Sequence, residues 1–407
     1  MFEFFEKIAS GIGFKLIDNF SDKVTEWISG VFKECKNTSS GDYDQNASSG
    51  NCAQNASSGN CAKNASSGDY DQNASSGNHA QNASSGDNAQ NASSGNHAQN
   101  ASSGDNAKNA SSGDFAKNAS SGNCAKNASS GNCAKNASSG DYAQNASSGY
   151  NAKNASSGNY AQNASSGDNA QNASSGNHAQ NASSGDFAKN IISGKNSICF
   201  DCGYKGIIKA VKGTWISLAE YKKNEENVWI PIYAKSAQIG NKEFKDFSGK
   251  MLKENTYYIL WKKEFYPVDE FDGLWTVRLS KKKRDDMTII KAVDIDTIYG
   301  DEVKEIYIAK EKKLSAHGYT VREAVEDLTF KKMKDIDIDE IVSKIKETGK
   351  VTRSQYRAIT GACSFGTNKF CEEHKIQDLE EIELSELRKI LINDYGAKKF
   401  WRLIDEK

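Results

Sequence analysis

The sequence predicts a mainly β chain whose largest part is a β-solenoid of nine-residue repeats, about two repeats to a coil. Three observations predict it. Glycine recurs at every ninth residue from Gly41 to Gly194 without a slip, enclosing seventeen units of the form G-[ND]-x-A-[KQ]-N-A-S-S. The sixth place is Asn in all seventeen units, from Asn46 to Asn190. The variable places are restricted: the third holds only Tyr, Cys, His, Asn or Phe, the fifth only Lys or Gln, and the second Asn or Asp with the one exception of Tyr150. Gly, Ser, Asn and Gln without large apolar residues are the composition of a disordered linker. A drifting linker, however, does not keep a nine-residue register over seventeen units.

Taken in order, residues 1–36 are expected to form an amphipathic helical cap. In Phe14–Phe32, the residues Phe20, Val24, Trp27, Ile28 and Val31 follow helical spacing, with Asp22, Lys23 and Glu26 on the other face. Such a helix suits an open coil end, whose ladder groups need a partner. Its polar face is not rich in Lys or Arg, so the expectation is packing on protein rather than on a membrane surface.

Residues 37–196 are the expected solenoid. The alternatives at places two, three and five are linked by single-base changes, the mark of a duplicated DNA segment diversified at three places. Those places accept an aromatic, a thiol or an amide alike, which a packed interior does not. They are therefore expected to face solvent, with places three and five on one side of a strand and the Ala between them on the other. Ser-Ser-Gly-[Asn/Asp] supplies the corner, with glycine expected to provide a positive φ. The small apolar content leaves much of the order to backbone ladders and stacked Asn side chains. The aromatic and imidazole residues at place three, Tyr43, Tyr70, His79, His97, Phe115, Tyr142, Tyr160, His178 and Phe187, are the candidate binding residues. Two motif matches carry no weight. Asn-Ala-Ser is a glycosylation sequon without a secretory route. Calcium-binding nonapeptide rolls need aspartates at fixed turn places and paired glycines, whereas here place two is Asn as often as Asp and each unit has one Gly.

Residues 197–333 are expected to form a β-rich domain ending in a helix. Short strands are read at Gly206–Val211, Thr214–Tyr221, Val228–Ala234, Thr256–Trp261, Leu274–Leu279 and Met287–Val293, and Trp215, Trp229, Trp261 and Trp275 supply large side chains. Thr320 with Glu323 three residues later reads as a capping box. Residues 334–407 read as a helical module, with helices at Ile338–Glu347, Arg353–Ala362, Thr367–His374 and Leu384–Ile392.

GIIKAVKGTWISLAEYK, KSAQIGNKEFK and LSAHGYTVREAVEDLTFK resemble a β-rich domain of uncharacterised proteins in Firmicutes genomes and their phages. In that family the domain often follows Asn-Ala-Ser-Ser-Gly arrays. VTRSQYRAITGACSFGTNKF resembles a small helical module at the C-terminus of related proteins. The resemblance covers about residues 41–400. It implies this architecture and a phage or mobile-element origin, and it brings no activity and no catalytic residues.

The chemistry is sparse. The net charge is -1, and residues 194–407 hold forty basic and thirty-seven acidic residues, so charge gives no case for nucleic acid. The basic run Lys281–Arg284 is followed at once by acids and reads as a solvated hairpin tip. Four of the nine Cys, Cys52, Cys61, Cys124 and Cys133, interchange with Asn at place three, which a disulfide framework does not allow. Cys199 and Cys202 form half of a zinc site, and His317 is a lone histidine before a helix. No catalytic residue, metal or cofactor is assigned. The start of the chain, MFEFFEKIASGIGF, lacks a basic n-region, and no stretch reaches the length of a membrane span, so the expected location is cytoplasmic or virion-associated. The expectation is a non-enzymatic structural or interaction protein with an unknown protein partner or self-association. The alternatives are an enzyme or a ligand-array binder with its activity in residues 195–333, where His317 or Cys202 is the reactive group.

Overall fold

One strand and one turn make up each nine-residue unit. The computed structural model describes residues 37–407, apart from 272, 285, 301, 333–336, 363, 378, 380, 393 and 407. The expected N-terminal cap lies outside the described residues. Strands β1 (Asn37–Ser39) and β2 (Gln45–Ser48) open the array, and β18 (Lys189–Ile192) is its last repeat strand. Each strand pairs in parallel with the strand two units away, in register: Asn118 faces Asn136, and Ala119 faces Ala137. One coil is therefore eighteen residues, and alternate units build two sheets.

The strand occupies places five to eight. Asn at six and Ser at eight point inward, and the Ala at four is fully buried in the preceding turn, as at Ala116, Ala125 and Ala134. The interior is thus polar but satisfied. The Asn136 amide donates to Ser129 Oγ at 3.0 Å, to the Ala146 carbonyl at 2.7 Å and to Asn154 Oδ1 at 2.9 Å. Asn118 donates in turn to Asn136 Oδ1 at 3.0 Å. A buried amide is tolerated because both its nitrogen and its oxygen find partners, along the ladder and across to the opposite sheet.

Two sequence expectations are corrected. Place three is not on a strand; it lies in the turn, in the left-handed region, with φ of 65° at Tyr43 and 57° at Phe187. The repeat glycines do not take positive φ. They are needed because the coils stack so closely there. A Cβ on Gly122 would lie 2.0 Å from the Gly104 carbonyl oxygen, and a comparable clash with the carbonyl eighteen residues earlier recurs from Gly59 to Gly194.

The coil geometry runs on past the repeat sequence. β19 (Ile198–Asp201) pairs in parallel with the repeat strand Gln180–Ser183, and β20 (Ile207–Ala210) with β18. The parallel ladder thus crosses the boundary expected at 196/197. Here Ile192, Cys199 and Ile208 replace Ser and Asn on the inside and join Ile216, Leu218, Ile239, Leu252 and Phe265 in an apolar core. β21 (Trp215–Lys223) takes one last parallel partner, β19, and then turns antiparallel with β22 (Trp229–Gln238), while β20 pairs antiparallel with β23 (Tyr257–Trp261). These strands end both parallel ladders. The Glu220 carboxylate accepts the Lys262 and Lys263 amides, each at 2.8 Å, fixing a turn in which both lysines have positive φ.

The chain divides into two compact units between Pro267 and Val268. The second begins within β24 (Glu264–Phe271), whose end pairs with β25 (Leu274–Arg284); β26 (Met287–Asp294), β27 (Glu305–Glu311) and β28 (Leu314–Gly318) continue the antiparallel meander. Lys281–Arg284 are exposed at the end of β25, as a hairpin tip requires. Helix α1 (Val321–Lys332) follows a Thr320–Glu323 capping box, with Glu323 N donating to Thr320 Oγ1 at 3.1 Å. Ala324 and Leu328 of α1 pack on Ala309 and Ala316. The helical module holds α2 (Ile338–Thr348), α3 (Arg353–Thr360), α4 (Ser364–Glu373), α5 (Leu384–Ile390) and α6 (Ala397–Glu406) around Ile345, Ile359, Leu387 and Phe400. Asp327 of α1 is buried; it pairs with Arg357 and accepts from the backbone and hydroxyl of Ser364. That network joins the two segments read from sequence as separate domains.

Candidate functional site

The turns carry the variable residues. At place two, the side-chain oxygen accepts the place-two amide of the next coil, as from Asn123 N to Asp105 Oδ1 at 2.7 Å and from Asp141 N to Asn123 Oδ1 at 2.9 Å. Asn and Asp interchange there because each offers that oxygen. Tyr150 has no such oxygen to offer and interrupts the ladder. At place three, the left-handed conformation turns the backbone amide toward the next coil, where Phe115 N donates to the Asn132 carbonyl at 2.8 Å. The backbone is held whichever side chain is present, and the side chain projects outward.

All nine candidate residues are exposed at such turns, from 73% at Tyr43 to 43% at Phe187 among the aromatics. They do not form one surface. Units two apart are neighbours, so Tyr43, His79, His97, Phe115 and Phe187 lie on one edge and Tyr70, Tyr142, Tyr160 and His178 on the other. Within each edge a continuous stack forms. His79, His97 and Phe115 have ring centroids 4.9 and 5.0 Å apart; Tyr142, Tyr160 and His178 are 4.9 and 4.8 Å apart, all within 7° of parallel. Phe187 meets Tyr204 edge-on instead. The sequence shows the nine-residue period but not this pairing, which needs the eighteen-residue coil.

Exceptions to the repeat have local reasons. Asp71, in place of Ala, is buried and accepts Ala53 N at 2.8 Å and Gly68 N at 2.7 Å. Asp201, in place of the inward Ser, accepts Asn190 Nδ2 at 2.9 Å and Gly203 N at 3.2 Å. It closes the Asn ladder where the next rung is Ile208. Full burial holds its carboxyl well above the ordinary carboxylate range, against the hydrogen bonds from Gly203, Ser183 and Asn190. Cys199 beside it is buried, and burial raises its thiol as well, with the Asp201 charge adding to the effect. Cys202 is half-buried with its sulfur on the Ser183 carbonyl. Among the described residues no group of three or more metal-ligating side chains gathers.

Against known protein families and curated proteins, the chain matches no family model and no sequence.

In the second unit a cavity of about 470 Å³ opens between β28 and the helical module. His317, Arg353, Tyr356, Phe370, Cys371 and Leu387 are among its walls. His317 is buried on β28, opposite Ile308. Most of the lining falls at residues 351–395, outside the 195–333 segment to which the alternative enzyme or ligand-array reading was assigned. Burial raises the Cys371 thiol above its ordinary value, with Arg353 opposing the shift. A thiol kept protonated is a weak nucleophile. No helix among the described residues is long and apolar enough to cross a membrane.

Proposed function

We propose that the chain is a non-enzymatic display protein of phage or mobile-element origin. Its array is a stiff spacer presenting variable side chains along two edges, and its C-terminal unit engages a protein partner. The supporting observation is the place-three turn. Seventeen consecutive units hold one backbone conformation while the projecting residue varies among five types. Variation on a constant backbone is what a recognition surface needs, and a purely structural rod has no use for it. The test replaces the nine aromatic and imidazole place-three residues with Asn, which the array already carries at Asn88 and Asn106. Co-purification from the native host with the parent and the Asn-substituted chain should show at least tenfold less of one protein with the variant, at unchanged circular dichroism. Equal recovery would remove the display role from the array.

A second reading rests on the cavity beside His317: the C-terminal unit holds a small apolar ligand. Leu387→Trp should fill the chamber and abolish binding of apolar fragments detected by ligand-observed NMR.

A further inference from the structure

The three histidines of the array sit in identical units, GNHAQNASS, at residues 77–85, 95–103 and 176–184. The first two units are separated by one unit and therefore stack; the third has no histidine neighbour. His79 and His97 occupy successive rungs of one edge, their rings 4.9 Å apart and 4° from parallel. Both side chains are exposed. The backbone beneath them is fixed, with His79 N bonded to the Asn96 carbonyl and His97 N to the Asp114 carbonyl, each at 2.8 Å. Two imidazoles anchored one rung apart on a fixed backbone are a pair of neighbouring nitrogen donors, and imidazole suits nickel, copper and zinc.

We propose that His79 and His97 together bind one divalent transition-metal ion, through one ring nitrogen each, with water completing the shell. Two nitrogens on a shared ion lie at most about 4 Å apart, twice a metal–nitrogen bond of about 2.0 Å. Imidazole lone pairs lie in the ring plane, so the parallel stack sets them side by side, and each exposed ring must leave the stack and turn about its side-chain torsions until both nitrogens point at one ion. The motion loosens the stack of His97 on Phe115, a contact of 5.0 Å between centroids. No cation of the two units opposes the ion: place five is Gln81 and Gln99, and place two is Asn78 and Asn96. Cys61, one rung before His79, is too short to reach an ion held between the two imidazoles, so the site is a two-residue clamp.

The test uses the full chain purified without a polyhistidine tag, titrated with Ni²⁺ alone by calorimetry. One site per chain is expected, weakened at least tenfold by His79→Asn and by His97→Asn. His178→Asn should leave it unchanged. Each variant introduces a residue already present at place three in the same left-handed conformation, as at Asn88 and Asn106, so circular dichroism should not move. Asn196 is the exposed rung after His178, and Asn196→His combined with Lys195→Asn, which removes the cation at place two of that unit, should add a second site of similar strength. Wild-type affinity in the His79 and His97 variants, equal weakening by His178→Asn, or no added site in the Lys195→Asn, Asn196→His double variant would overturn the proposal.

Discussion

Replacing Gly122 with Ala separates two explanations of the repeat glycine. Where a glycine has negative φ, Gly→Ala ordinarily stabilises by about 0.4–1 kcal/mol, because the unfolded chain loses freedom. Gly122 does not take a positive φ, so flexibility alone predicts a gain. The stacking predicts the opposite. The new Cβ would lie 2.0 Å from the Gly104 oxygen and 2.4 Å from its carbon, whereas real Cβ contacts stay beyond 3.0 Å. The two turns must part by about 1 Å. That stretches the bond from Asn123 N to Asp105 Oδ1, now 2.7 Å, and from Ser121 N to the Ser102 carbonyl, now 3.1 Å, beyond useful range. At about 1 kcal/mol per bond, with more for any donor left buried, the expected net loss is about 2–3 kcal/mol. A methyl group on Gly50 would meet nothing within 4 Å, so that glycine serves as the control. Urea unfolding of the full chain, with amide exchange to localise the effect, should show Gly122→Ala destabilised and Gly50→Ala neutral or slightly stabilised. A Gly122→Ala protein as stable as the parent would refute the stacking argument.

Asn136→Ala removes three donor contacts inside the coil and should cost about 2–3 kcal/mol by the same assay. Asp201 has a raised carboxyl, so the folded chain keeps a proton that the unfolded chain loses above about pH 4. Its stabilisation is therefore complete in acid and falls as pH rises above that value, by up to about 1.4 kcal/mol per pH unit. Asp201→Asn should flatten the dependence of thermal unfolding between pH 4 and 7; an unchanged slope would show that Asp201 titrates normally. Asp327→Ala removes the buried carboxylate that pairs with Arg357 and accepts from Ser364 and should cost about 3–5 kcal/mol. The loss should be read in the second unit, with array amides protected as before.

The solenoid was legible because its period is written in every unit and because Asn, Ser and Ala alternate inward as strand geometry demands. The reason for each fixed residue was less legible. Gly invites a φ argument, yet its role comes from a carbonyl eighteen residues away. The left-handed turn falls on Tyr, Phe, His and Cys, residues that composition assigns to a strand. Place two looked free because it is exposed, but its oxygen is committed to the neighbouring coil. In the second unit helices α1 to α5 and the Thr320 cap followed from local pattern, whereas α6 (Ala397–Glu406) was not read from the sequence. The Asp327–Arg357–Ser364 network did not, since nothing local links residues thirty or more positions apart.

The difference between a nine-residue unit and an eighteen-residue coil makes parity a property of this array. Gain or loss of an even number of units by DNA slippage changes the length and leaves the surviving rows in phase. An odd number transfers everything on one side of the event to the opposite edge, so that former neighbours part and strangers become adjacent. His79 and His97 would stay adjacent after any change outside the segment between them, and would be parted by a single unit inserted within it. Copy number can thus reshuffle which side chains stand together without altering one codon of the units themselves.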